Sequence, residues 1–162
     1  MDKWDSLYLD IAGRVGQMSH AQRSKVGAVL VKDRNILAFG YNGTPSGMDN
    51  TCEHKHVIVP SDYDNIQVYI DQGYTFQDGL GFTKLTTKPE VLHAESNAIA
   101  KIARSTQSSC GATLYVTLSP CMECAKMIVQ SGIKRVVFRQ KYRNEDPITF
   151  LIENEIEVEE EK

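Results

Sequence analysis

Two short stretches, His93-Ala94-Glu95 and Ser119-Pro120-Cys121-Met122-Glu123-Cys124, decide how this chain is read. They supply one imidazole, two thiols at an x-x spacing, and a carboxylate two places after the imidazole. One nitrogen and two sulfur donors suit Zn²⁺. Three protein ligands leave the fourth tetrahedral position open, the mark of a catalytic metal rather than a closed structural one. Cys121 and Cys124 stand three apart, so on a helix they share a face. Pro120 is a good helix opener. Both thiols then fall in a first turn, where unpaired N–H groups and the helix dipole favour thiolate. His93 and Glu95 can meet at one site only if a helix begins at about residue 93. Ala94, Ala98, Ile99, Ile102 and Ala103 form an apolar helical stripe starting there.

Taken singly, each part has a plainer reading. Glu95 alone is a helix-end charge. Cys-x-x-Cys alone is a structural zinc half-site or a redox pair. A redox motif has no use for His93-Ala94-Glu95, and a structural zinc needs a fourth ligand, for which Glu95 is unusual. Together they describe a hydrolytic centre. Zinc lowers the pKa of a bound water, and a carboxylate beside it, Glu95, takes the proton and passes it on.

Composition bounds the setting. The 162 residues suit one domain, 1–162, and the 41% hydrophobic and 24% charged content is that of a soluble globular protein. A net charge of −3 implies no general polyanion-binding surface, although a local basic pocket stays open. No apolar run approaches membrane length, and Asp2, Asp5 and Asp10 spoil a signal peptide. The expected compartment is the cytoplasm (the host's, if the source is viral), where four Cys are ligands or free thiols rather than disulfides.

Outward from the two motifs, Trp4, Leu7, Ile11, Val15 and Met18 mark an amphipathic helix over about 3–18. Val26 to Val31 and Ile36 to Tyr41 read as a strand hairpin around Lys32-Asp33-Arg34-Asn35. Gly40-Tyr41-Asn42-Gly43-Thr44-Pro45-Ser46-Gly47 is either an elaborate turn or a ligand loop approaching phosphate or sugar. Residues 48 to about 90 lack periodicity and read as one long insertion. Its aromatics, Tyr63, Tyr69, Tyr74, Phe76 and Phe82, either stack on bases or pack the insertion. Its Cys52, His54 and His56, with His20, are either a second metal site or polar loop residues. Helices from His93 and Cys121 then alternate with strands at Thr113–Thr117 and Arg135–Phe138, followed by a short helix at Ile148–Asn154 and an edge strand at Ile156–Val158. The order α-β-β-(insertion)-α-β-α-β-α-β predicts an α/β fold, a three-layer αβα sandwich with a central mixed sheet.

His93-Ala94-Glu95 and Pro120-Cys121-Met122-Glu123-Cys124 match the H-x-E…P-C-x-x-C signature of zinc nucleobase deaminases. The chain closely resembles the deoxycytidylate (dCMP) deaminases within the cytidine deaminase-like fold. The likeness runs through Val26-Gly27-Ala28-Val29, Gly40 to Gly47, His93 to Ile99 and Tyr115 to Cys121. It implies that His93, Cys121 and Cys124 bind zinc and that Glu95 shuttles protons. The reaction implied is dCMP + water → dUMP + ammonia, by attack at C4 of cytosine, with Glu95 passing the water's proton to N3 and then to the leaving amino group. It places Asn42 at the sugar, the Ser119 backbone at the exocyclic amine, and Ala94 and Pro120 beside them.

The same resemblance implies regulation: activation by dCTP and inhibition by dTTP, each with Mg²⁺, in a homo-oligomer, commonly a hexamer. Gly40, Tyr41, Asn42 and Gly43 fall in the effector region of relatives, and Arg104 is a candidate effector-phosphate partner or a plain surface Arg at a helix C-terminus. Arg23, Lys25 and Lys84 are candidates for the substrate phosphate. Relatives often carry a Cys before the Val-Gly-Ala-Val strand for a second zinc; here His20-Ala21-Gln22-Arg23 stands there, so that site is lost or rebuilt around Cys52. Three other readings remain: a deaminase of tRNA or single-stranded DNA, a deaminase of another free base or nucleoside, and a zinc-stabilised binding module without activity.

Overall fold

The computed structural model describes residues 2–60 and 66–161. Its elements run α1 (Lys3–Gly16), β1 (Gly27–Lys32), β2 (Asn35–Tyr41), β3 (Glu53–Ile58), α2 (Ile66–Asp71), β4 (Thr75–Gln77), β5 (Gly81–Thr87), α3 (Ala94–Ala103), β6 (Thr113–Leu118), α4 (Met122–Gln130), β7 (Arg135–Gln140), α5 (Asp146–Glu153) and β8 (Glu157–Glu160). The main sheet has five strands in the order β2-β1-β6-β7-β8. β1 is antiparallel to both neighbours, whereas β6, β7 and β8 are parallel, so the sheet is mixed as expected.

Strand alternation sorts the core into two layers. Val29, Val31, Tyr115 and Val137 meet Tyr8, Leu9, Ala12 and Val15 of α1 on one face. Ala28, Leu30, Leu114, Val116, Val136 and Phe138 meet Ala94, Ala98, Ile102, Ala125, Ile128 and Leu151 of α3, α4 and α5 on the other. β1 is buried on both faces, which is why its sequence is a continuous apolar run.

Two glycines let the helices sit directly on strand backbone. A Cβ at Gly27 would stand 2.0 Å from the Ala12 carbonyl oxygen, and one at Gly40 2.1 Å from that of Ala94. Gly40 is therefore required by the packing of α3 on β2, whatever its place near a ligand loop.

The long insertion is more ordered than its sequence suggests. β3, β5 and β4 form a separate antiparallel sheet in that order. Its strands are short, and β3 and β4 are exposed along most of their length, so no alternation of apolar and polar residues marks them. Tyr69 packs on Phe82 and Tyr74, and Phe76 on Phe82, so these aromatics pack the insertion; Tyr63 lies outside the described residues. α4 starts one residue later than the Pro120 signal implies, because Cys121 is the N-cap. α5 starts earlier than its apolar stripe, with Pro147 in the first turn. Among the described residues no helix is long and apolar enough to cross a membrane.

Asp5 ties the layers together. Asp2 and Asp5 form a capping box that opens α1. The buried Asp5 carboxylate also accepts from Tyr115 Oη at 2.9 Å and from Arg135 at 2.7 and 3.0 Å. Arg135 in turn reaches Glu157 and Glu159 of β8. The Arg135 guanidinium holds the Asp5 carboxyl well below the usual carboxylate range. A depressed native pKa contributes stability above the unfolded value of about 3.9, lost as pH falls below it. Asp5→Asn should cost about 2 kcal/mol at pH 7, less than a fully orphaned buried pair because Arg135 keeps two other partners. In urea unfolding the gap between variant and parent should shrink below about pH 4; a gap unchanged at pH 3 refutes this role.

Candidate active site

The N-termini of α3 and α4 meet at one end of the main sheet. His93 is the N-cap of α3 and Cys121 the N-cap of α4, and neither side chain caps its own helix. They face each other instead. His93 Nδ1 lies 3.4 Å from Cys121 Sγ and 3.5 Å from Cys124 Sγ. The three donor atoms lie within 4.8 Å of one another, and among the described residues this is the one three-donor group of its kind. The chain entering α3 is fixed by a backbone bridge between Gly43 and Leu92, with bonds of 3.1 and 2.9 Å, one residue before His93.

The donor spacing fits a tetrahedral zinc ion. Zn–N near 2.0 Å and Zn–S near 2.3 Å put the N···S edge at about 3.5 Å. The chemistry of the pair agrees. Cys121 is drawn down to about 3 by its hydrogen bond with Cys124 and then by His93. The same bond and burial push Cys124 far up. A divalent ion held by the pair would keep both as thiolates. The His93 ring is held above its ordinary value by Cys121.

Glu95, in the first turn of α3, is 4% exposed. Burial pushes its carboxyl up to about 7, so it can hold or release a proton near neutrality. It lies with His93 and Cys121 on the wall of a cavity of about 310 Å³, the size of a small-ligand site.

That cavity gathers several of the sequence candidates. Asn42, Ala94, Ser119 and Arg23 line it; Lys25 and Lys84 do not. Pro120 is fully buried beneath. The Asn42 amide braces the loop opposite, accepting from Val26 N and donating to the Ser24 carbonyl, each at 2.8 Å. Ser119 Oγ accepts from Tyr142 N at 2.8 Å and so draws residues 140–143 over the cavity. Arg143 and Glu53, which the sequence reading passed over, also line it. Glu53 Oε1 accepts from the N–H groups of Gln22 and Arg23, while the buried Oε2 has no partner among the described residues. Arg143 sat in what reads as a charged loop, and Glu53 at the start of an unpatterned strand; neither carried a local signal.

Other candidates are not brought together. His20 is exposed, and His54 and His56 project from β3 into solvent with ring centroids 6.4 Å apart. Cys52 is buried on the cavity wall, its thiol toward the Asn50 carbonyl. Among the described residues these four assemble no metal cluster: His20, His54 and His56 are exposed, whereas Cys52 is buried. Tyr41, Asn42 and Gly43 lie near the start of α3, where Asn97 Nδ2 donates to the Tyr41 carbonyl. Arg104 caps the other end of that helix, about 15 Å along its axis.

A carboxyl buried beside three donors that could hold a metal ion, at the helix-lined end of a mixed sheet, is an arrangement suited to metal-assisted hydrolysis. Comparison with known proteins narrows the class. The model of the cytidine and deoxycytidylate deaminase zinc-binding region matches residues 2–140. The deoxycytidylate deaminase of Enterobacteria phage T4 is 37% identical over 155 residues, spanning 88% of this chain and 80% of its own. The human deoxycytidylate deaminase is 35% identical over 150 residues, spanning 91% and 71%. The crystal structure of dCMP deaminase from cyanophage S-TIM5 in complex with dCMP and dUMP superposes with a TM-score of 0.77 at 37% identity, covering 99% of each chain. The chain belongs to the cytidine and deoxycytidylate deaminase family, and it is a deaminase.

Metal analysis of the purified chain should find about one zinc per chain, retained in His54→Ala and His56→Ala and lost in Cys124→Ala. Two zinc ions per chain, with one lost on changing His54 or His56, would contradict the geometry above.

Proposed function

We propose that this chain catalyses the hydrolytic deamination of dCMP to dUMP and ammonia at a zinc centre held by His93, Cys121 and Cys124. The observation that carries the reading is one cavity lined by His93 and Cys121 of the triad, by the buried Glu95 and by two arginines, Arg23 and Arg143. The relatives' names and the dCMP and dUMP complex of the S-TIM5 enzyme support the substrate. Zinc bound at the triad supplies Lewis acidity and lowers the pKa of a water. Glu95 takes one proton of the attacking water and delivers it to N3 as the water oxygen bonds to C4; it then takes the second proton from the C4 hydroxyl and gives it to the amino group, which leaves as ammonia when the C4–N bond breaks. Its burial excludes bulk water from the transfer. The Ser119 backbone, held by Gln140 at 2.8 Å, sits where the exocyclic amine would be received, with Ala94 and Pro120 beside it. Asn42 and Glu53 stand on the sugar side, and the orphan Oε2 of Glu53 is an acceptor for a sugar hydroxyl. Arg23 and Arg143 receive the 5′-phosphate.

The dUMP formed would serve thymidylate synthesis in the cytoplasm, of the host if the chain is viral. Activation by dCTP and inhibition by dTTP, with Mg²⁺, in a hexamer belong to the same reading. Because Arg104 and the Gly40–Gly43 segment lie at opposite ends of α3, an effector touching both would bridge two copies of the chain.

With products separated by anion exchange, dUMP should form from dCMP, faster when dCTP is present and slower when dTTP is present. Glu95→Gln should lower turnover by about 10³-fold while zinc stays bound; zinc loss on that change would make Glu95 a ligand and undo the mechanism. Arg143→Ala should raise KM for dCMP about tenfold and leave deoxycytidine unaffected. Equal effects on both would remove Arg143 from the phosphate.

A further inference from the structure

A second cavity, of about 530 Å³, adjoins the first. Arg23 and Arg143 line both. Lys55 adds a third cation and Lys84 a fourth, and among the described residues no carboxylate lines the space. Their contacts are with neutral oxygens: Lys55 Nζ donates to Gln77 Oε1 at 3.3 Å, Arg23 Nη1 to Thr87 Oγ1 at 3.0 Å, and Lys84 Nζ to the Gln72 carbonyl at 2.6 Å. A chain of net charge −3 thus gathers four cations at one place beside the first cavity, with no carboxylate among the described residues that line it.

The register of the insertion sheet explains how the two cavities connect. Glu53 pairs with Thr87 and Lys55 with Leu85, so all four share one sheet face. The first pair lines the catalytic cavity and the second pair the cationic one. Two residues of strand span about 6.7 Å, which carries this face from the sugar and first phosphate to a region one or two phosphates further out.

We propose that the cationic cavity binds the β- and γ-phosphates of a nucleoside 5′-triphosphate whose base lies at the metal triad, so that the enzyme also deaminates dCTP to dUTP. The proposal rests on the dCMP reading above and extends it. The chemistry is unchanged: water supplies the oxygen that bonds to C4, the C4–N bond breaks, one of the water's protons stays on N3 while the other leaves with the amino group as ammonia, and the triphosphate is untouched. Arg23 and Arg143 hold the α-phosphate as they hold that of dCMP, and Lys55 meets the added charge. A single-stranded nucleic acid would need cations continuing beyond this cavity, and the net negative charge favours the compact polyanion.

The test is to give the zinc-loaded full chain dCTP with Mg²⁺ as the sole nucleotide and to separate products by anion exchange. The expected product is dUTP, with kcat/KM within about tenfold of that for dCMP. Lys55→Ala, at an exposed strand position, should cut kcat/KM for dCTP about tenfold and leave dCMP within about twofold. Conversion of dCMP with no dUTP from dCTP overturns the proposal and leaves the dCMP reading intact. Equal loss on both substrates in Lys55→Ala also overturns it. Turnover of deoxycytidine but not dCMP, or of an oligonucleotide alone, overturns the dCMP reading and the proposal with it.

Discussion

Two cysteine sulfurs, each within hydrogen-bonding reach of one imidazole, are the constraint on which this molecule turns. The triad brings the N-termini of α3 and α4 together, so the polarity of both helices favours negative charge where the thiolates must form. Each ligand at a cap is also a backbone fixture: His93 and Cys121 set the start of their helices, and the Gly43–Leu92 bridge sets His93. Glu95 and Cys124 follow from those starts, one in each first turn. A single register thereby positions the three donors and the buried carboxyl together.

The sheet supports this by close approach rather than by bulk. α1 and α3 rest on backbone at Gly27 and Gly40, where a methyl group would collide with a carbonyl oxygen. The Asp5–Tyr115–Arg135 cluster then ties α1 to β6 and β7, and the contacts of Arg135 with Glu157 and Glu159 carry the tie to β8, the parallel edge of the sheet. The cost of burying this carboxylate is offset by its donors, Tyr115, the Arg135 guanidinium and the Asp2 N–H.

The insertion has a different character. Its small sheet buries few side chains, and its aromatics are satisfied by each other. What it offers the rest of the molecule is a wall. Glu53 braces the Gln22–Arg23 backbone, and the strand that follows extends the wall of the catalytic cavity into a cationic annex.

The sequence by itself determined the triad, the carboxyl beside it, the two-layered helix packing and the strand order's mixed character. These rest on short-range spacing and on periodicity, which act within a turn of helix or a pair of strands. Tertiary structure alone decided the rest. The insertion's strands carry no alternation because both faces of β3 are largely exposed. Arg143 reaches the cavity because Tyr142 N is bound by Ser119, a contact across 23 residues of chain. By residue type His54 and His56 left open a second metal site or polar loop residues; on β3 both are exposed and join no cluster among the described residues. Residue type and local spacing are written in the chain; which distant segments converge on one cavity is settled by packing and register, and those exist only once the chain has folded.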